Sequence, residues 1–429
     1  MDVLNWSRHF RCFPGQGDMP LLDFMAAVQA TGYQGDLSLE IFNDQFRAGS
    51  PRSVAVDGQR SLVYLMDQLR EKNGKAAADI PKMPPRSECL GVEFIEFAVD
   101  DRTADELARF IAGLGFRNVA HHKSKAVSRW AQGAINLIIN KEKEGFAHSH
   151  YITHGPSVCA IGLKVDSAAA TLDRAEKLHD TPFRQKVGPG ELEIPAVRGM
   201  GGSLLYFLDP TSKLAKVWDV EFEPVPAGKS TDAGLSVVDH ISQSMHYEDM
   251  LSWLLFYTSL LDVRKTPQVD ITDPGGIVRS QVVETTNGTL RIALNASQSP
   301  RTQSSRFLNE YFGSGVQHIA FATDDILATA ARLKANGVET LRIPENYYDD
   351  LEARTGLDAA RLKLLKDNNV LYDKDDGGEY LQLYTKSFKD LFFLEVVQRR
   401  GYKGFGAINA PIRLNAQSRL AGDSAVSGL

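Results

Sequence analysis

Stretches in which apolar and polar residues alternate, each followed by one amphipathic helical stretch and then more short alternating stretches, recur along most of this 429-residue chain. The first round opens at Gly91 with GVEFIEFAVD, continues through the helical pattern TADELARFIAGLG, and ends in short strands through AINLIINKE. A second runs from SVCAIGLKVD through AAATLDRAEKLH to GGSLLYFLDP. Two more follow Asp232, one from SVVDHISQSM to LRIALNA and one from VQHIAFATD to FFLEVVQRR. Period two flanking a period of 3.6 predicts strand, helix, then several strands, and the repetition predicts modules. The expected fold class is α+β, with four βαβββ modules in two halves, 91–220 and 235–410. Between them, EFEPVPAGKSTDAG (221–234) reads as a proline- and glycine-bearing linker. Residues 73–90, rich in Lys, Ala and Pro, read as a tether, and 411–429 as a C-terminal tail. Residues 1–72 predict a helix over PLLDFMAAVQATG, a strand over DLSLEIF, a polar loop, and a long helix from SVAVDGQRSL onward.

Within these strands one carboxylate stands out. Glu395 lies between Leu394 and Val396 in an apolar run, and burying a carboxylate without a partner is costly. His240 in VDHIS and His318 in VQHIA open successive modules, 78 residues apart, and Glu395 follows 77 residues later. Two imidazoles and one carboxylate on strands of one domain are a set that binds Fe(II), or another divalent metal ion, on one face and leaves its other positions open. In the first half, FIEFA places Glu96 against His240, VCAIG places Ala160 against His318, and YFLDP loosely matches FLEVV, so only the second half is expected to hold metal. The cluster AHSHYITHG (His148, His150, His154), like His121 and His122, reads as surface or loop histidines: an HxH pair shares a face on a strand, but a third ligand is missing.

Composition narrows the function class. With 54 acidic and 48 basic residues the net charge is −6 and no basic stripe appears, so nucleic acid is an unexpected partner. Cys12, Cys89 and Cys159 form no CxxC pair, and no apolar run reaches the ~18 residues of a membrane span. A cytoplasmic protein acting on small molecules is expected, with a homo-oligomer compatible.

Two resemblances add to this. GQGD, GYQG and SLEIFND in residues 1–72 resemble the last units of a sugar-phosphate-isomerase type of TIM barrel, closest to bacterial two-domain 3-dehydroshikimate dehydratases. The likeness implies a metal ligand at Glu40 and substrate contacts at His9 and Arg11. A closed barrel needs about eight strands and about 250 residues, so an incomplete remnant is expected, as if the chain began at an internal methionine of a longer protein. The repeating unit resembles the vicinal oxygen chelate (glyoxalase-like) superfamily. VDHI, GVQH, YLQLYTK, LFFLEVVQR and GFGxxN, in order, resemble 4-hydroxyphenylpyruvate dioxygenase across roughly 91–410. That family implies Fe(II) on His240, His318 and Glu395, a 2-oxo acid substrate, O₂, and pocket residues Ser280, Asn295, Gln303, Gln382 and Asn409. Its two ring-clamping phenylalanines are here Tyr384 and Ala410. The resemblances thus imply a dioxygenase, or a 3-dehydroshikimate dehydratase (a lyase giving protocatechuate) whose dioxygenase-like part is accessory.

Overall fold

The computed structural model describes residues 2–74, 82–226 and 232–427. The expected linkers therefore lie partly outside the described residues, at 75–81 and 227–231. The chain starts with four helices, α1 (Val3–His9), α2 (Leu21–Ala30), α3 (Asp44–Ala48) and α4 (Pro51–Asn73). Ser50 Oγ caps α4 by accepting from the Ser53 amide, Pro51 occupies the first turn, and Gly74 ends the helix with φ 67°.

The first half comprises β1 (Cys89–Ala98), α5 (Asp101–Gly113), β2 (Arg117–His122), β3 (Val127–Gln132), β4 (Ile135–Asn140) and α6 (Gly145–His154). It continues through β5 (Ser157–Val165), α7 (Ala168–Lys177), β6 (Ala196–Arg198), β7 (Leu204–Leu208), α8 (Val217–Glu221) and β8 (Phe222–Pro224). The second half begins with β9 (Leu235–Met245), α9 (Met250–Leu260), β10 (Arg264–Lys265), β11 (Val269–Asp273), β12 (Gly276–Glu284), β13 (Arg291–Ala296) and α10 (Gln303–Tyr311). After these come β14 (Gly315–Thr323), α11 (Ile326–Ala335), α12 (Glu345–Thr355), α13 (Ala359–Asp367), β15 (Leu371–Asp375), β16 (Gly378–Tyr384), β17 (Phe393–Arg400) and α14 (Ala410–Ser427).

Each half builds one curled sheet around a central antiparallel pair. The orders are β6-β7-β5-β1-β4-β3-β2-β8 and β10-β12-β13-β9-β14-β17-β16-β15, with β11 on β12. The helix-then-strands rhythm is followed loosely in the second round, which supplies only β6 and β7 before the chain crosses to add β8 beside β2. The halves share a core. Phe97 meets Phe392 at 5.1 Å between ring centroids, Phe116 meets Phe321 at 5.4 Å, and Phe110 stacks on Phe388 at 5.5 Å. Such pairs add about 0.5–1.5 kcal/mol each beyond their buried area.

Four local expectations change. The strand over DLSLEIF does not form: residues 36–42 carry no helix or strand, and the one β-bridge beside them among the described residues joins Phe10 to Asn43. A strand needs a ladder partner, and among the described residues none pairs with it. The expected tether, 73–90, lies partly outside the described residues; its described end is packed, with Ser87 bonded through its amide to the Leu260 carbonyl, and α4 before it is docked on both halves. Arg174 of α7, fully buried, donates to Asp67 Oδ2 of α4 at 2.9 Å, to the Ser259 carbonyl of α9 at 2.7 Å and to the Pro84 carbonyl. Arg60 of α4 donates to the Leu178 carbonyl and pairs with Asp57 and Asp180. The expected tail is helix α14. Pro411 falls in its first turn, where a missing N–H forfeits no intrahelical bond.

The fourth change concerns AHSHYITHG, which is helix α6 rather than a strand or loop. His150 and His154, one turn apart, share a face that packs on Tyr311 of the other half: His150 Nε2 lies 3.0 Å from Tyr311 Oη, and His154 stacks on the ring at 4.5 Å. Burial, with help from His154, pulls the His150 pKa down from 6.5 to about 3. Between those values the unfolded chain binds a proton that folded His150 refuses, so this contribution to stability falls as pH drops through that window. His150→Gln should flatten the acid dependence of the urea midpoint; an unchanged slope would remove His150 as its source.

Candidate metal centre

At the middle of the second sheet, β9 and β14 run antiparallel and β17 lies parallel to β14. The register aligns His240, Ala320 and Glu395 in one row across the three strands, with His318 two residues along β14 on the same face. His240 and Glu395 therefore start two strand spacings apart, roughly 10 Å. They meet because the residue between them is alanine. His240 Nε2, His318 Nε2 and Glu395 Oε2 form a triangle with each side 3.3 Å. Atoms bound about 2.1 Å from one ion lie roughly 3.0 Å apart in an octahedral face and roughly 3.4 Å apart in a tetrahedron, so the three fit a single divalent ion. Among the described residues this is the group of His, Cys, Asp and Glu whose ligand atoms converge this way. Ala320→Leu should wedge the row open and lower metal affinity by more than tenfold, read by competition with a chromogenic chelator; retained affinity would show that the row can close over a larger side chain.

The surroundings fix the set. Asp239 Oδ1 lies 2.8 Å from His240 Nδ1, so this nitrogen carries its proton toward Asp239 and Nε2 is left as the ligand atom, a carboxylate–imidazole arrangement typical of metal sites. The β9–β14 register slips between His240 and Val238, and the bulge at Asp239 re-aims that side chain. Arg399 of β17 grips Asp239 with Nε at 2.7 Å and Nη2 at 2.9 Å, and its guanidinium lies 4.4 Å from the Tyr380 ring centroid. Although burial pushes the Asp239 pKa up, the bonds from His240 and Arg399 outweigh it and hold the group well below the usual carboxylate range. Glu395, 1% exposed, is likewise pushed up by burial but held ionised by the two imidazoles. Burial lowers His240, yet the Glu395 charge and the Asp239 bond raise it to about 9. His318 lacks such a carboxylate: its Nδ1 is buried without a partner, its ring stacks on Phe393 at 4.8 Å, and burial takes it down to about 4.

A polar chain runs outward from Glu395. Gln382 Nε2 donates to Glu395 Oε1 at 3.0 Å and to Tyr384 Oη at 2.8 Å; Asn409 Nδ2 donates to Gln382 Oε1 at 2.9 Å, and Tyr347 Oη donates to Asn409 Oδ1 at 3.1 Å. Gly406 permits the turn that brings Asn409 in: its φ is 60°, and a Cβ there would lie 2.5 Å from Gln382 Oε1. Asn295 bonds Ser242 Oγ at 2.8 Å, and Ser280 is its partner across the β12–β13 ladder, so both share the metal-facing side. Gln303 begins α10, its backbone amide bonded to Asp273. Tyr384 brings a hydroxyl to the Glu395 carboxylate, and Arg413 of α14 lies 5.2 Å from the Phe393 and 5.7 Å from the Tyr384 ring centroid.

Glu40, in contrast, is exposed, 3.8 Å from Arg11, while His9 pairs with Asp44 at 2.9 Å. The first half lacks the triad, but the register changes how it was lost. With Ile95 opposite Ile161 as Ile241 is opposite Ile319, Phe94, Ala160 and Tyr206 occupy the places of His240, His318 and Glu395; Glu96 matches Ser242 rather than His240. Sequence reading missed Asp239, Ala320, Tyr347, Arg399 and Arg413. The acid beside the histidine in VDHI was the available signal for one of them.

Residues 86–223 match the family described as hydroxyphenylpyruvate dioxygenase N-terminal, and 237–358 match the glyoxalase/bleomycin resistance protein/dioxygenase superfamily. A 3-dehydroshikimate dehydratase of Pseudomonas aeruginosa is 46% identical over 98% of this chain and 67% of its own length. A 4-hydroxyphenylpyruvate dioxygenase of the same organism is 34% identical over 74% of this chain and 90% of its own. A solved structure described as a xylose isomerase-like TIM barrel/4-hydroxyphenylpyruvate dioxygenase fusion protein matches with TM-score 0.87 at 44% identity, covering 98% of this chain and 68% of that one.

Proposed function

We propose, from the premise that this chain belongs to the family of bacterial 3-dehydroshikimate dehydratases that carry a 4-hydroxyphenylpyruvate-dioxygenase-like part, that its own complete site is a divalent-metal centre for a 2-oxo acid. The dehydratase, a lyase giving protocatechuate from 3-dehydroshikimate, is the reading that the relatives along the whole chain favour for the activity of the family, since their identity runs through residues 1–72 as well as both halves. On this chain that chemistry is represented by the exposed Glu40, with Arg11 3.8 Å away, and among the described residues Glu40 belongs to no group of three or more His, Cys, Asp and Glu whose ligand atoms converge. The chain by itself is therefore expected to release no protocatechuate.

The observation that carries the metal reading is the 3.3 Å triangle of His240, His318 and Glu395 with Asp239 behind it. Iron(II) suits this donor set and, when bound, supplies open positions at which a 2-oxo acid and O₂ can meet. The protein's part is orientation and exclusion of water. Asp239 and Arg399 keep Nε2 of His240 turned toward the ion, Gln382 holds the free Glu395 oxygen, and Asn409 ties that glutamine to the turn before α14.

The test adds Fe(II) and then a 2-oxo acid anaerobically, looking for a weak visible band followed by O₂ uptake on exposure to air. Protocatechuate release from 3-dehydroshikimate is assayed in parallel. Absence of both band and uptake would leave the accessory reading, in which this part supports a lyase elsewhere. Tyr384 and Arg413 favour a second polar or anionic group on the substrate over a bare aromatic ring. A 2-oxo diacid should bind better than 4-hydroxyphenylpyruvate, and Arg413→Met should weaken it by about tenfold; equal affinity in the variant would exclude Arg413 from recognition.

A further inference from the structure

The first half holds a partly open cavity of about 490 Å³ on the same face of its central strands that carries the metal triad in the second half. Phe94 and Tyr206, standing where His240 and Glu395 stand in the other half, form its floor at 5.8 Å centroid separation, and Trp218 closes one side edge-on to Phe94 at 6.0 Å. The hole therefore persists although the metal set is gone.

Its polar wall is incompletely satisfied. His122 accepts from the Ser124 amide at Nδ1 (3.2 Å), which leaves the ring proton on Nε2. That Nε2 is buried without a hydrogen-bond partner on a side chain only 5% exposed; the nearest carboxylate oxygen, on Glu221, lies 3.4 Å away outside hydrogen-bonding geometry. Glu96 accepts from Asn140 Nδ2 at 2.7 Å through one oxygen, leaving the other as an acceptor to be filled. Glu191, in contrast, is already saturated by Lys125, Ser124 and the Gly188 amide. An open donor and an open acceptor on one wall call for a group that both accepts and donates. A hydroxyl does this; an ammonium cannot accept, and a carboxylate cannot donate and would enter a lining whose six glutamates outnumber its three cations, Lys125, Arg184 and Lys186.

We propose that this cavity is a second binding site, distinct from the metal centre, for a neutral ring-sized molecule of the phenol class, whose ring packs on Phe94, Tyr206 and Trp218 while a hydroxyl bridges His122 and Glu96. The aromatic floor beside this polar pair gives a ring-bearing molecule apolar faces to pack on, which a pocket suited to water alone would not need.

Resorcinol is the probe, because its hydroxyls are placed so that it does not chelate a metal ion. Titrated into the full chain, it should bind saturably, perturb the fluorescence of Trp218 and show intermolecular NOEs to the Trp218 indole. 1,3-Dimethoxybenzene, which cannot donate, and benzoate should bind at least about tenfold more weakly. Glu96→Met and His122→Phe should weaken resorcinol by a similar factor, while His240→Ala should not. Resorcinol without saturation up to its solubility, or without NOEs to Trp218 in the unmodified chain, would overturn the assignment and leave a cavity for water only. Binding abolished by His240→Ala but kept in Glu96→Met would place the probe at the metal centre and overturn it equally.

Discussion

Asp239→Ala is expected to destabilise the folded protein by roughly 3–5 kcal/mol, a loss that urea unfolding would show as a lowered midpoint. The reason lies in what the substitution leaves behind. Arg399 spends two of its nitrogens on Asp239 and a third on the Gly404 carbonyl, and it stacks on the Tyr380 ring in the core of the second half. Removing the carboxylate strands a guanidinium away from water. Asp239→Asn keeps the shape and one acceptor, so it should fold better than the alanine variant but bind metal about 10–100-fold more weakly, because the carboxylate that polarises His240 is gone. If Asp239→Ala unfolded like the unmodified chain, Arg399 would have to find solvent or another partner, contrary to its burial here.

Glu395→Gln is expected to abolish metal retention and to change how the metal-free protein responds to pH. In the metal-free protein the Glu395 charge raises His240 from 6.5 to about 9, so the folded state holds a proton there that the unfolded chain gives up. That stabilisation is complete below about pH 6.5 and is lost as pH rises through about 9. His318, lowered to about 4, works in the opposite sense: its contribution falls as pH drops from about 6.5 toward 4. The metal-free chain should therefore be most stable between these limbs. In Glu395→Gln the alkaline limb should shrink, and addition of metal should no longer raise the melting temperature. With the native carboxylate, saturation at about a hundred times Kd should add about 2.7 kcal/mol. A metal-dependent rise in the glutamine variant would mean that the ion is held elsewhere.

The triad was legible in the sequence because its members lie in short alternating strands at repeated spacing, and strand periodicity reports which face a side chain takes. The groups that orient it were harder to see. Arg399 and Asp239 lie on strands that are separated by β14, and only the register brings them together. Ala320 carries no chemistry of its own, and its role as the low point between two ligands appears once His240 and Glu395 share its row. Motif matching without register also put Glu96, two residues along, in place of Phe94. In residues 1–72 the apolar pattern DLSLEIF reports a strand that would need neighbours to pair with, whereas α4 finds its own burial against both halves through Arg174 and Arg60. The histidines of α6 read as an HxH pair because the apolar residues of this short run gather weakly on any one face and so carry little helical signal, yet a helix sets His150 and His154 on Tyr311.

The central claim is that one divalent ion is shared by His240, His318 and Glu395. X-ray absorption of the chain loaded with Fe(II) under anaerobic conditions tests it most directly, together with metal counting on the unmodified chain and on His318→Ala. One ion per chain is expected, with imidazole scattering from two histidines and oxygen donors completing the shell, and with binding lost in His318→Ala. An ion shell without imidazole, or full occupancy retained in His318→Ala, would contradict the account.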